Sequence, residues 1–205
     1  MLKIELPSNL SQASPDEWRR LADVTAEAFA EDPVNRWIFG NIRGIRSAFR
    51  VLARDIYARR GICHLAPDGG AAMWMDYRKR PVPDLNRWGQ LRLTLGQTFF
   101  GSKGSLGRAM KAGKTMAAHH PSDPHLYLFT IGTVPAARGK GLGRALLAPV
   151  LAACDRDGVA CYLENSNPDN HGFYAAHGFE RREIFPCGFD GPPLEAMWRA
   201  PQQRI

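Results

Sequence analysis

The stretch from Tyr127 to Leu147 constrains this chain more than any other. It reads Tyr127-Leu128-Phe129-Thr130-Ile131-Gly132-Thr133-Val134, then Pro135-Ala136-Ala137, then Arg138-Gly139-Lys140-Gly141-Leu142-Gly143-Arg144-Ala145-Leu146-Leu147. Aromatic and β-branched residues predict a strand, the proline a turn, and the alternating glycines open an apolar helix. Glycine lets backbone amides approach a ligand with no Cβ between them. A helix start adds unpaired N–H donors and partial positive charge, so the place suits a phosphate. Arg138 and Lys140 add mobile positive charge. A purely structural glycine-rich helix start is the alternative.

The rest of the chain predicts helices alternating with strands. Helices are expected over 15–30, with Ser14 and Glu17 as a capping pair, over 43–60, over 141–157, and in a short segment opened by Pro168. Two more fill 84–118, divided at Gly101–Gly104. Strands are expected over 61–65, 71–75, 125–134, 159–164, 179–185 and 194–199. No repeat or linker divides the 205 residues, which predicts one α/β domain over 1–205. The run Ala145–Ala153, broken by Pro149, is too short to cross a bilayer. Met1–Leu6 lacks the basic start and long apolar core of a signal peptide, so a cytoplasmic location and no membrane partner are expected.

Lys and Arg number 27 against 20 Asp and Glu, a formal charge of +7. That excess fits an anionic partner of any kind. Arg43, Arg46, Arg50 and Arg54 lie on one face of the second helix, where a solvated amphipathic face competes with phosphate binding. No helix-turn-helix or RNA-binding aromatic motif accompanies them, so a nucleic-acid partner is not expected. Cysteines 63, 154, 161 and 187 have no zinc-ligand spacing, and no metal site or disulfide framework is expected. Histidines 64, 119, 120, 125, 171 and 177 form no metal or catalytic motif and read as surface or capping residues.

Three phosphate-binding patterns compete for the glycine loop. In a dinucleotide fingerprint Arg144 occupies the third glycine's slot, and too little chain follows Glu164 to complete the sheet. Gly113-Lys114-Thr115 lacks the first P-loop glycine, because position 108 is Arg108. By contrast, Arg138, Gly141 and Gly143 fill the three places of R/Q-x-x-G-x-G/A, the coenzyme A loop of the GNAT N-acetyltransferase superfamily. Asn167-Pro168-Asp169-Asn170-His171-Gly172-Phe173-Tyr174-Ala175-Ala176-His177-Gly178-Phe179 also resembles that superfamily's N-x(6)-Y-x-x-x-G-F segment. The branch containing puromycin N-acetyltransferase is the most similar, through Ala28–Pro33, Ala71–Trp74 and Tyr162–Pro168.

The resemblance implies a mixed central sheet flanked by helices, with the strands 125–134 and 159–164 splayed apart and a two-helix insertion near 84–118. It implies acetyl-CoA as co-substrate and acetyl transfer to the amine of a small molecule by direct attack in a ternary complex. A non-catalytic acyl-CoA-binding module on the same fold is the alternative. Gly132, Thr133 and Val134 would pair with the pantetheine arm. Arg138, Gly139, Lys140, Gly141, Leu142, Gly143 and Arg144 would cradle the pyrophosphate, and Asn167, with Asn170 in reserve, would contact the cofactor. Either asparagine also suits a helix cap. Tyr174 corresponds to the family's general acid; packing is its alternative role. Glu164 is the candidate base, with a structural or substrate-orienting role open. Glu31, Asp32, Trp37, Phe39 and Trp74 are candidates for the acceptor pocket, with core the commoner role for the three aromatic residues.

Overall fold

Side-chain caps set the first layer of helices. The Ser14 N–H donates to Glu17 Oε2 at 2.9 Å, and a 3-10 turn over Pro15–Glu17 leads into α1 (Trp18–Ala28). Asp32 does more than break the chain before Pro33. Its carboxylate accepts from the Asn35 N–H at 2.8 Å and caps α2 (Pro33–Phe39), a helix that sequence periodicity missed. Asn41 caps α3 (Ile42–Leu52). The expected helix over 43–60 is completed by a π turn at Ala53–Tyr57 and one turn of helix, α4 (Ala58–Arg60). The structure is a computed structural model and describes residues 2–78 and 82–202.

Seven strands form one mixed sheet: β1 (Ser11–Gln12), β2 (Ile62–Ala66), β3 (Gly70–Asp76), β4 (Leu126–Thr133), β5 (Cys161–Asn165), β6 (Glu180–Pro186) and β7 (Pro193–Arg199). Their order is β1-β2-β3-β4-β5-β7-β6. All pairings are antiparallel except β4 with β5. Between β3 and β4 lies the two-helix insertion, α5 (Arg87–Phe100) and α6 (Ser105–His119). Helix α7 (Leu142–Arg156) joins β4 to β5, and the short α8 (His171–Ala175) precedes β6.

The parallel pair comes apart where a ligand needs room. Leu126, Tyr127 and Leu128 pair with Cys161, Tyr162 and Leu163, and the ladder ends there although both strands continue. On its other edge β4 pairs Leu128 with Trp74 and Thr130 with Met73, so Phe129 is skipped as a bulge. The splay expected of 125–134 and 159–164 is thus present.

Strand parity sorts the core into two halves. Ala71, Met73, Met75, Tyr127 and Tyr162 face α1 and α3, whereas Ala72, Trp74, Leu126, Leu128 and Leu163 face α7. On α7, Leu146 and Leu147 have no exposed surface, and each such burial is worth about 1.5–3 kcal/mol. All four cysteines are free and buried. The arginine stripe on α3 is largely committed within the fold. Arg50 makes a two-pronged bond to Asp23, Arg46 approaches the same carboxylate at 3.7 Å, Arg43 lies over Phe100 and Arg54 over Trp18.

A groove and a cavity that meet at Tyr174

The glycine loop lines a groove of about 730 Å³ that opens to solvent. Gly139 and Gly141 sit at φ +75° and +76°, a left-handed conformation that side chains resist. A Cβ at either position would meet nothing within 4 Å, so there the backbone conformation, not crowding, demands glycine. Gly141 is the N-cap of α7, and the first returning bond runs from the Ala145 N–H to its carbonyl at 3.0 Å. The N–H groups of Leu142, Gly143 and Arg144 therefore precede the helix ladder, and all three residues line the groove. Arg138 lines it too and reaches across to the Ala28 carbonyl at 3.4 Å.

Gly132, Thr133, Asn167 and Asn170 complete the wall with Asp169 and Phe173. Two expected members do not join them. Val134 is half-buried against Gly69, and its N–H is spent on the Gly69 carbonyl at 2.8 Å. Lys140 is exposed outside the lining. Asn167 also caps the turn that follows it, accepting from the Asp169 N–H at 3.1 Å.

Behind the groove lies a second, mostly apolar cavity of about 270 Å³. Val34, Ile38, Phe49, Met116 and Phe129 supply apolar wall, Gly113 lies on its α6 side, and Glu164 and Ser166 come from the end of β5. No lysine or arginine lines it among the described residues. Phe29, Ile131, Asn170 and Tyr174 line both spaces, so groove and cavity meet at these four side chains. Burial, with the nearby Asp32 carboxylate as the smaller contribution, pushes the Tyr174 phenol well above its ordinary range. The phenol keeps its proton at neutral pH.

The structure corrects the expected acceptor residues. Trp74 has no exposed surface and packs in the α7 half of the core, because alternation along β3 turns it away from the face that Met73 and Met75 share. Trp37 sits on a different flank of α2 from Val34 and Ile38, beside Arg108 and the backbone of Gly188 and Gly191. Glu31 is exposed and borders the groove, not the cavity. Asp32 also borders the groove, and its other oxygen binds Ser166.

Glu164 lines the cavity, with a side chain only 1% exposed. The Tyr127 and Tyr162 phenols face its carboxylate, whose charge is costly to bury unless such donors reach it. Histidines 120 and 125, read from sequence as surface or capping residues, are gathered near it. His125 is fully buried, and His120 Nδ1 lies 3.4 Å from Glu164 Oε1. His64 is buried as well, and desolvation pushes its imidazole down to about 4. No local pattern marks these positions, since the loop after α6 and the start of β4 become neighbours of β5 only in the folded chain. Among the described residues, no group of three or more His, Cys, Asp or Glu is placed to hold a metal ion.

Residues 101–179 match the model of the acetyltransferase (GNAT) family. A solved structure from Corynebacterium glutamicum ATCC 13032, described as histone acetyltransferase HPA2 and related acetyltransferase, is 29% identical, covering 96% of this chain and 98% of its own, with a TM-score of 0.69. These likenesses support the GNAT acetyltransferase superfamily. The coenzyme A loop motif and the segment ending at Phe179 both lie inside the stretch that matches the GNAT model. An uncharacterized N-acetyltransferase of Schizosaccharomyces pombe is 34% identical over 82 residues, which is 39% of this chain and 33% of that protein. The chain thus spans about a third of that relative's length. The C-terminal condensation domain of Ebony, solved with beta-alanyl-dopamine, is 13% identical with a TM-score of 0.59 over 98% of this chain and all of that one, a likeness of fold alone. Among the described residues, no helix is long and apolar enough to cross a membrane.

Proposed function

We propose that this chain transfers an acetyl group from acetyl-CoA to the amine of a small, largely apolar molecule. One observation carries the reading: Tyr174 stands where the phosphate-type groove meets the apolar cavity. A thioester extending from the groove and an amine in the cavity would come together beside a protonated phenol. The resemblance to the puromycin N-acetyltransferase branch points the same way, as do the family match and the similar structures.

The residues present fit such a co-substrate. Glycines with left-handed φ open the backbone, amides at the α7 start offer donors, and Arg138 and Arg144 add charge for a pyrophosphate. The edge of β4 from Phe129 to Thr133 has no β5 partner, which leaves main-chain groups for an extended arm to pair with. In direct attack the neutral amine nitrogen forms a bond to the acetyl carbonyl carbon, the carbon–sulfur bond breaks, and Tyr174 gives its proton to the leaving sulfur. Glu164 takes the proton that the acceptor must lose. The cavity sits near the lower end of small-molecule pockets, which run from roughly 300 to 1,000 Å³. Glu164 is its carboxylate, so an acceptor with one cationic amine on an apolar or aromatic body fits it.

The test is calorimetry with acetyl-CoA, followed by a screen of small amines that measures release of the CoA thiol. Binding to the wild type, at least tenfold weakened in Gly141→Val, is expected, because valine resists φ +76° and projects a side chain into open groove. Turnover should favour apolar primary amines. Acetyl-CoA binding without turnover of any amine would instead support the non-catalytic acyl-CoA-binding alternative.

A further inference from the structure

Behind the apolar cavity a chain of polar contacts leads away from Glu164. His120 Nδ1 lies 3.4 Å from Glu164 Oε1. The other nitrogen of that ring, Nε2, is 3.0 Å from His125 Nε2, and His125 Nδ1 is 2.7 Å from the carbonyl oxygen of Asp123. The cavity end is closed off, with the Glu164 side chain 1% exposed. The far end reaches solvent: the His120 side chain is 12% exposed, and Asp123 is an exposed loop residue.

Hydrogen-bond polarity assigns the protons along this chain. A carbonyl can only accept, so His125 Nδ1 carries a proton, and in neutral His125 the Nε2 accepts. His120 Nε2 must then donate to it. With that proton placed, a neutral His120 would turn its Nδ1 lone pair toward the Glu164 carboxylate at 3.4 Å, an unfavourable meeting. One further proton between Glu164 and His120 removes the conflict, most simply as an imidazolium beside a carboxylate. The chain is thus built to hold one proton and to pass it on.

We propose that Glu164, His120 and His125 form a proton relay that drains the acceptor's ammonium proton from the cavity to the surface at residues 120–125. The inference rests on the acetyl-transfer reading above. An N–H bond of the ammonium breaks and an O–H bond forms on Glu164. Once His120 has given its second proton to water at its exposed edge, the proton on Glu164 moves to the vacated Nδ1, leaving Glu164 ionised and the imidazolium restored. His125, whose Nδ1–H is held by the Asp123 carbonyl, keeps its own proton and fixes the His120 ring through Nε2. Glu164 is the group that meets the amine; His120 and His125 act through it.

The phenols around Glu164 do not compete for that proton. Tyr57, from the π turn, Tyr127, from β4, and Tyr162, from β5, all face the Glu164 charge. Burial first, and the Glu164 charge with it, raises all three phenols above their ordinary range, so they stay protonated. Tyr77, Tyr127 and Tyr162 pack their rings around His120 and hold its plane. Arg182 and Glu183, on β6, act on Tyr162 from its other side, and Glu183 is occupied by His119 at 3.0 Å.

The experiment is nitrogen-15 NMR of the histidine rings in the full chain from pH 5 to 9, in wild type, Glu164→Gln and His120→Gln, with melting temperatures as the folding control. His125 should show one neutral tautomer, protonated at Nδ1. At pH 7 the His120 Nδ1 signal should move toward that of an unprotonated ring nitrogen in Glu164→Gln, because the carboxylate facing that nitrogen is gone. With an accepted amine, His120→Gln should lose about tenfold or more in kcat at pH 7. It should recover toward wild type above the amine's own pKa, where no proton needs draining. A His120 Nδ1 signal unmoved by Glu164→Gln, or a loss equal at every pH, overturns the relay. Coupled histidines in a wild-type protein that acetylates no amine would overturn the acetyl-transfer reading and, with it, the relay's role in transfer, while leaving the proton couple established.

Discussion

The Ser166 hydroxyl donates to Asp32 Oδ2 at 2.5 Å, joining the end of β5 to the cap of α2 across 134 residues of chain. Asp32 Oδ1 meanwhile accepts from the Asn35 N–H and from Asn35 Nδ2, each at 2.8 Å. One carboxylate thereby starts a helix that supplies cavity wall and ties it to the strand carrying Glu164. Asp32→Ala should cost about 0.5–2 kcal/mol for the lost cap, with more for the stranded Ser166 hydroxyl. Asp32→Asn, which still caps, should cost less. Urea unfolding of the two variants checks the order; equal losses would mean that the cap is not what matters.

Glu195 predicts a pH dependence of stability. Burial works against its charge, but bonds from Asn165, Arg181 and His171 outweigh that cost and hold the carboxyl below its ordinary value of 4.5. Its folded-state value therefore lies below its unfolded one. In the acidic window the unfolded chain binds more protons, so stability rises with pH there. The Glu195 contribution is complete above the ordinary glutamate range and fades as pH falls through the folded value. Glu195→Gln should lower stability at pH 7 and flatten the decline below about pH 5. Urea midpoints from pH 2.5 to 7 measure it, and parallel curves for the two proteins would refute it.

Tyr174→Phe removes one oxygen and little packing. As the proton donor to sulfur, Tyr174 should show its loss in turnover, with kcat falling about 10²–10⁴-fold while acetyl-CoA affinity and melting temperature stay near wild type. A change confined to KM would mark a binding contact instead. Steady-state kinetics across pH, with calorimetry alongside, separates the two.

Gly113 lies mid-helix in α6, lines the cavity, and has open space where a Cβ would go. Gly113→Leu should raise stability by about 0.5–1 kcal/mol through helix propensity. The same side chain should crowd the cavity and raise KM for a large apolar amine at least severalfold, with acetyl-CoA binding unchanged. An unaltered KM would move the acceptor out of this cavity.

Much of this was legible because it is local. The strand, turn and glycine-started helix from Leu126 to Arg156 follow from alternation, proline geometry and the left-handed φ of Gly139 and Gly141, all properties of neighbouring residues. The position of Tyr174 was legible through its own segment, since Asn167 and Tyr174 share one turn and one short helix. The acceptor side was not. Trp74 looked suitable until strand parity, referred to which face meets α7, buried it on the far side of the sheet. Trp37 depended on how α2 rolls against its neighbours, which an aromatic residue type does not encode. His120 and His125 carry no motif because their partner is Glu164, some 40 residues further along and brought near by the parallel pairing of β4 with β5. Sequence by itself determined most of the helices and strands, though not α2 or β1, and the glycine cradle, because what it determined depends on short-range backbone sterics. Tertiary structure alone decided which side chains share the cavity and where its proton can go, because distances between separate elements are set by how the faces pack.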